Sequence, residues 1–350
     1  MLASINPAHQ PIYGVALAGL LTIIALYMLI LLIYTTINQM RPVVIIQSIH
    51  DHTLLARRRQ IEFLRRTRRA ASSPKSAGDL IAATRSGFLM RVDVAAIDKV
   101  VAKDVEVIIL VSIGEYVALG DPVAEIRPVR AITPPLIKAI ENAAILEGQR
   151  DLDTDPVFGI EQLETIGWTS ISTAKSNADP GILTIWNLRD LLSHWLADDP
   201  AFGGGKPLAA DPDARVVYVD NLPERWMQAF ESLVMVASES MQHQSAAQIY
   251  RSLATLLPRL PPDLQQRTDE LILRSLPGLG DHILTRELEN SLVVLIDALS
   301  QSGRASCASA VETARNKLAG NIGRLNSRST RTQVFDYDSP VKKKARAKRT

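Results

Sequence analysis

One stretch near the start of the chain restricts the fold most, because it is uncharged over a length that can cross a bilayer. Residues 12–37 read IYGVALAGLLTIIALYMLILLIYTTI and contain no Lys, Arg, Asp or Glu. About 20 apolar residues suffice to span the hydrocarbon core. Tyr13 and Tyr34 are separated by roughly 31 Å at the helical rise, which matches the two interfaces that aromatic rings prefer. We therefore predict one transmembrane helix over 12–37, after a short outer N-terminus, 1–11. A cleaved signal peptide would need a positive n-region and a shorter apolar stretch.

Charge is distributed unevenly on the two sides of this span. Residues 1–40 carry no charged side chain, whereas 41–75 carry nine basic and two acidic ones. Residues 324–350 also carry nine basic and two acidic side chains. Both segments are thus +7, which leaves −12 for 76–323 in a chain of formal net charge +2. The positive-inside rule predicts an outer N-terminus and a cytoplasmic body in the cell inner (plasma) membrane. An acidic body repels phosphate backbones, so no nucleic-acid partner is expected.

The first basic segment is dominated by arginines. A helical projection of residues 54–70 mixes them with the apolar residues, which argues against an amphipathic interfacial helix and favours a helix that leaves the membrane with arginines on most sides. We expect these side chains at the surface of an anionic cytoplasmic leaflet. They are Arg57, Arg58, Arg59, Arg65, Arg66, Arg68 and Arg69.

The rest of the sequence predicts an α+β fold, with a small β-rich module followed by a mostly helical body. Strand-like segments at 86–93 and 105–112 flank a short helical one, 94–103, and Gly114 and Gly120 mark turns. From about 131 onward the apolar spacing is helical. The predicted segments are a basic juxtamembrane segment and linker (38–79), the β-rich module (86–128), a helical segment with a polar loop (129–200), a loop and short strand (201–220), a helical bundle (221–323) and a basic disordered tail (324–350).

A group of charged and amide side chains flanks the predicted helix 158–172. It is the best candidate for a ligand site or an interface in this sequence, if its two ends meet across a neighbouring helix or a dimer axis. Several members also have ordinary structural explanations: Asp155 precedes Pro156 as an N-cap, and Asn177 and Asp179 are common turn residues. The group consists of Arg150, Asp153, Asp155, Lys175, Asn177 and Asp179.

Local catalytic motifs are not found. The six histidines show no HExxH spacing, there is no Cys/His cluster with zinc spacing, and the Gly-x-Ser-x-Gly elbow is missing. The sequence therefore predicts no metal and no cofactor, names no catalytic residue, and favours a non-enzymatic protein without excluding an enzyme. The single cysteine, Cys307, is interpreted as a small apolar residue.

The order of four segments resembles a bacterial family of predicted membrane proteins, catalogued as domain of unknown function 2254. The segments are VVIIQSIHDHTLLAR; SGFLMRVDVAAID with VSIGEYVALGDPVAEI; QRDLDTDPVFGIEQL; and ISTAKSNADPGI. The resemblance covers roughly 12–240 and implies a membrane-protein architecture, with no established chemistry. It also implies several membrane spans, whereas this sequence contains one.

Three functions follow as hypotheses. The first is a non-enzymatic structural or regulatory module of a membrane assembly, with a homo-oligomer or a multi-span membrane partner. The second is a subunit of a transporter or channel whose other spans come from a partner. The third is an enzyme of unknown chemistry that uses Asp153, Asp155 and Lys175.

Overall fold

The computed structural model describes residues 12–39, 41–71, 78–129, 131–172, 178–199, 202, 214–280 and 282–320. It divides into two compact units, Met1–Ser48 and Ile49–Thr350. The fold is α+β, as the sequence predicts, with an N-terminal apolar helix, a small sheet region and a helical body.

The first unit contains helix α1, Ile12–Gln39, and the start of helix α2, Pro42–Leu64. Within α1, residues Tyr13–Thr35 are long and apolar enough to cross a membrane, the one such segment among the described residues. The large apolar side chains of this segment are exposed. A core helix of a soluble protein would bury them, so this exposure favours the predicted span.

The second unit begins within α2 and continues into two small sheets. Strands β1 (Asp79–Ala82), β5 (Pro122–Arg127), β3 (Glu106–Ile109) and β7 (Val216–Tyr218) form a four-stranded sheet in the order β1-β5-β3-β7. β7 pairs in parallel with β3, with Ile109 opposite Tyr218, and the other pairs are antiparallel. Strands β4 (Tyr116–Val117), β2 (Gly87–Val92) and β6 (Ala144–Glu147) form an antiparallel sheet in the order β4-β2-β6.

Two short helices complete the β-rich part. Helix α3, Val94–Asp98, follows β2 and is capped by the Asp93 side chain, which accepts from the Ala96 N–H at 3.1 Å. Helix α4, Pro134–Ala143, begins with two prolines in its first turn, where the missing donors cost nothing. The apolar sides of both helices and of the strands share one core, including Ile97, Val107, Ile126, Leu136 and Ile140.

The helical body follows. Its helices are α5 (Pro156–Ser172), α6 (Asp179–Asp198), α7 (Leu222–Glu239), α8 (His243–Leu256), α9 (Pro262–Leu279), α10 (Arg286–Gln301) and α11 (Ala305–Ala319). α5 packs on α6 and α7, α8 packs on α10, and α11 packs on α9 and α10. Along α6, Ile185, Leu188, Leu192 and Trp195 recur at helical spacing and are buried.

The structure differs locally from the sequence interpretation in two places. The helical spacing expected from about 131 onward stops at Ala143, and Ala144–Glu147 instead forms strand β6 beside β2. Helix α3 is shorter than the predicted 94–103. At β6, backbone pairing with β2 decides a conformation that local propensity leaves open.

Candidate functional site

The candidate group is centred on the N-terminus of α5, where Asp155 is fully buried. One carboxylate oxygen of Asp155 accepts from the Phe158 N–H at 3.0 Å, which makes it an N-cap. The other accepts from Arg150 Nε at 2.7 Å. Arg150 also forms an ion pair with Glu161, in the second turn of α5. Its guanidinium carbon lies over the Phe158 ring, 4.9 Å from the ring centroid. The cap and the ion pair therefore hold the 148–155 segment against the first turns of α5.

The turn between β3 and β4 closes this cluster from the other side. Gly114 has φ +87°, and its N–H donates to the Leu89 carbonyl at 2.7 Å. A Cβ atom at Gly114 would overlap the Asp155 carboxylate and would lie 2.7 Å from Arg150 Nη2. The β-rich part thus reaches the helical body through a backbone contact on the Asp155–Arg150 pair, and only glycine leaves room for it.

Burial and charge act in opposite directions on Arg150. Desolvation disfavours its cationic form, but the hydrogen bonds and charges of Asp155 and Glu161 outweigh this, so the pKa of Arg150 is raised. Arg150 Nη2 is buried without a hydrogen-bond partner in the described part of the chain. Arg150 therefore stays cationic, and its contact with Asp155 is structural.

Asp153 belongs to a different contact, although it is only two residues away. Its carboxylate lies 2.6 Å from Nδ1 of His52, and its carbonyl accepts from Arg59 Nη1 at 3.0 Å. Both partners are on α2. Asp153 thus joins the 148–155 segment to α2 at a half-exposed position.

The other predicted members do not complete a site within the described chain. Lys175 and Asn177 lie outside the described residues. Asp179 begins α6, beyond the far end of α5 from Asp155. The 17 residues of α5 span about 25 Å. Asp155 and Asp179 therefore mark opposite ends of a helix.

The prediction for Arg57 needs correction. The sequence interpretation groups it with the membrane-surface arginines, but it is fully buried. Arg57 Nε donates to Asp199 at 2.5 Å, Nη2 donates to Asp220 at 2.6 Å, and Nη1 donates to Gln60 at 2.6 Å. Burial disfavours its charge, but the attraction of Asp220 and Asp199 outweighs burial and raises the pKa of Arg57. Arg57 is a structural cation and is not available to lipid.

The remaining arginines of the group divide by exposure. Arg58, Arg59, Arg65, Arg66 and Arg69 are exposed. Arg68 is half-buried and pairs with Glu106 of β3. Its backbone also exchanges hydrogen bonds with β7, from Arg68 N–H to Val216 and from Tyr218 N–H to Arg68, both at 2.9 Å.

The α2 face that carries Arg57 also carries a histidine contact that the sequence interpretation missed. His50 is buried, with Nδ1 3.0 Å from Asp51 and Nε2 3.0 Å from Asp190 of α6. Asp190, Asp199 and Asp220 are the partners that it failed to identify. They lie far from α2 in the sequence, and no spacing links them to it. Among the described residues, no group of three His, Cys, Asp or Glu side chains is arranged to hold a metal ion.

Comparison with known proteins gives one match. A family model described as predicted membrane protein (DUF2254) matches residues 1–246. This is well over half of the chain, and it agrees with the resemblance carried by the four sequence segments. No curated protein and no solved structure matches the chain.

Proposed function

We propose, because the chain belongs to the DUF2254 family of predicted membrane proteins, that it is a membrane-anchored, non-enzymatic structural or regulatory module of a membrane assembly. The apolar helix α1 is the anchor. The family match and the candidate span support a membrane location. The finer assignment, to the inner membrane of a bacterial cell with the body in the cytoplasm, rests on the charge difference between residues 1–40 and 41–75.

One observation carries the non-enzymatic part of this proposal: the buried charged side chains are used in contacts between elements. Asp155 caps α5 and binds Arg150, and Arg57 binds Asp199 and Asp220. A catalytic group has to face a substrate, whereas these groups face one another. Buried ion pairs of this kind fix how elements meet, which suits a module that presents a defined surface to partners.

The proposed partners are an anionic cytoplasmic leaflet and either further copies of the chain or a multi-span membrane protein. The exposed arginines on α2 support the first. A protein partner, either another copy or a multi-span protein, is supported by the single candidate span of the described residues. A single helix has few ways to act within a bilayer without neighbouring helices. A transporter or channel subunit is the second candidate function, and the same observation favours it.

The test is the mass of the complex extracted from its native membrane. Light scattering in detergent, combined with mass spectrometry of co-purifying chains, gives the stoichiometry. A homo-oligomer is the expected result for a structural or regulatory module. A multi-span partner in fixed ratio would instead support the transporter or channel subunit. A monomer that turns over a small molecule would contradict the proposal.

A further inference from the structure

A pocket of about 420 Å³ opens between α2 and the end of β2. One wall is the C-terminal end of α2, with Arg59, Glu62 and Phe63, and Arg66 continues it just beyond the end of that helix. The opposite wall starts at Arg91 and runs through Val92 and Asp93 into the first turn of α3. All of these residues belong to the second unit of the chain.

The three arginines of this pocket keep most of their donors free. All three are exposed. Arg59 uses one nitrogen on the Asp153 carbonyl, and Arg66 is a loose 3.9 Å from Glu62. Arg91 makes no side-chain hydrogen bond or ion pair with any residue that the structure describes. Three arginines thus line one small volume, and most of their N–H groups are not engaged by described residues.

The two acids of the pocket do not cancel this charge. Asp93 uses its carboxylate to cap α3. Glu62 is exposed and pairs loosely with Arg65, at 3.6 Å, and with Arg66. Three arginines against these two carboxylates leave the pocket with one excess positive charge. Its apolar part, Phe63 with Val92 and Val94, suits the carbon atoms next to a bound anionic group.

We propose that this pocket binds a phosphate group carried on a small organic body, as in a phospholipid headgroup or a soluble phosphate ester. Planar guanidinium groups bind phosphate oxygens through paired charge-assisted hydrogen bonds, and the two walls place arginines on both sides of one ligand. The proposed site involves fewer arginines than a general basic surface would. It requires Arg91 from β2, and it does not include the buried Arg57. It is a ligand site of the chain itself, and it stands whether or not the chain joins an assembly.

The experiment is a titration of the detergent-purified full chain, read by native mass spectrometry. The probes are phosphatidylglycerol, phosphatidylcholine, glycerol 3-phosphate and inorganic phosphate. The test variant is Arg59→Gln with Arg91→Gln. Its charge-matched control is Arg58→Gln with Arg69→Gln, which removes two exposed arginines outside the pocket. Arg59 also donates to the Asp153 carbonyl, so its replacement could disturb that contact. The single Arg91→Gln variant tests the pocket without changing Arg59.

We expect the dissociation constant of the bound probe to rise about tenfold for Arg91→Gln and more for the double variant, because each arginine supplies a charge-assisted pair. The control should change it less than twofold. Pocket-dependent binding of phosphatidylglycerol alone identifies a lipid headgroup, and pocket-dependent binding of glycerol 3-phosphate identifies a soluble ester. Equal weakening in the double variant and its control would overturn the proposal, as would failure of every probe to bind.

Discussion

At residue 57 a cation lies inside the protein with two carboxylates and an amide arranged around it. Replacing Arg57 with Met would remove the cation from a buried ion pair, because the side chains of Arg57 and Asp199 are each 1% exposed. Removing one partner of a buried ion pair typically costs about 3–5 kcal/mol. We therefore expect Arg57→Met to lower the melting temperature of the detergent-solubilised chain by several degrees in a thermal scan.

Arg58 is the matched control, because it is the neighbouring arginine of the same helix and is exposed. Arg58→Met removes the same charge and should change the free energy of unfolding by no more than about 0.5 kcal/mol. Its melting temperature should therefore stay close to that of the unaltered chain. Equal effects of the two substitutions would show that the Arg57 contacts with Asp199 and Asp220 do not stabilise the fold.

His243 predicts how stability depends on pH. Burial lowers the pKa of His243 below its usual value of 6.5, so the unfolded chain binds this proton more tightly than the folded chain. The neutral His243 side chain therefore costs the folded state nothing above about pH 6.5. As the pH falls below this value, the unfolded chain takes up the proton first and the free energy of unfolding decreases. We expect the melting temperature to fall between pH 7.5 and pH 5.5, and His243→Gln to reduce that fall.

The control for this prediction is Thr255→Ser, an exposed and non-titrating position on the same helix, α8. It should keep the pH dependence of the unaltered chain. A melting temperature whose pH dependence is the same with and without His243 would show that burial of this imidazole does not contribute.

At the scale of elements, α2 shows what the sequence pattern could and could not predict. The sequence predicts a helix at the arginines but not its start at Pro42, and its buried face is made of His50, Thr53, Arg57 and Gln60 as much as of apolar residues. An apolar periodicity cannot reveal a face whose burial depends on distant partners such as Asp199 and Asp220. The arginine-rich helix therefore seemed solvated on most sides, although one side is packed.

The candidate site divides in the same way. Asp155 was identifiable as an N-cap, because a cap depends only on local sequence. Its contact with Gly114 joins segments forty residues apart, and the aspartates that bind α2 are further away still. Helices α5 to α11 were predictable from their long apolar stripes, whereas strand β6 depends on pairing with β2. Long-range pairing is the information that one sequence lacks.

Gly114 and Gly120 provide a matched test of how the β-rich part contacts α5. Both have positive φ, +87° and +92°, but a Cβ atom meets the Asp155–Arg150 pair only at Gly114 and finds open space at Gly120. Gly120→Ala should cost about 1–2 kcal/mol of backbone strain. Gly114→Ala should cost about 1–3 kcal/mol more, because it displaces buried hydrogen bonds.

The measurement for this pair is thermal unfolding of the two variants side by side in the same detergent. A lower melting temperature for Gly114→Ala than for Gly120→Ala supports the close approach. Equal melting temperatures would mean that the Gly114 turn does not bear on the Asp155 cap.

At the scale of the whole molecule, charge and hydropathy carry most of the available information. An uncharged N-terminal segment, a basic segment after the span and an acidic body predict which side of a membrane each part occupies. These are sums over many residues, so they survive local errors such as the misplacing of Arg57. The orientation itself remains a prediction, and the buried cysteine offers a clean way to measure it.

Burial raises the pKa of the Cys307 thiol to about 12, with a further contribution from the charge of Asp269. Because Cys307 is buried and protonated at neutral pH, it should not react with a membrane-impermeant maleimide. An introduced cysteine then reports its own side of the membrane without removal of the native one. Ser4→Cys, before the span, should be labelled on intact spheroplasts. Ser309→Cys, exposed on α11, should be labelled only after permeabilisation.

The charge argument adds a second variant to the same measurement. Replacing Arg58, Arg65, Arg66 and Arg69 with Gln in the Ser309→Cys chain removes four of the nine basic residues of 41–75 but keeps the structural Arg57. A weaker charge difference should orient a fraction of the chains the other way, so some Ser309→Cys becomes labelled before permeabilisation. Full labelling of Ser309→Cys from outside in the chain that keeps its arginines would place the body on the opposite side and reverse the proposed orientation.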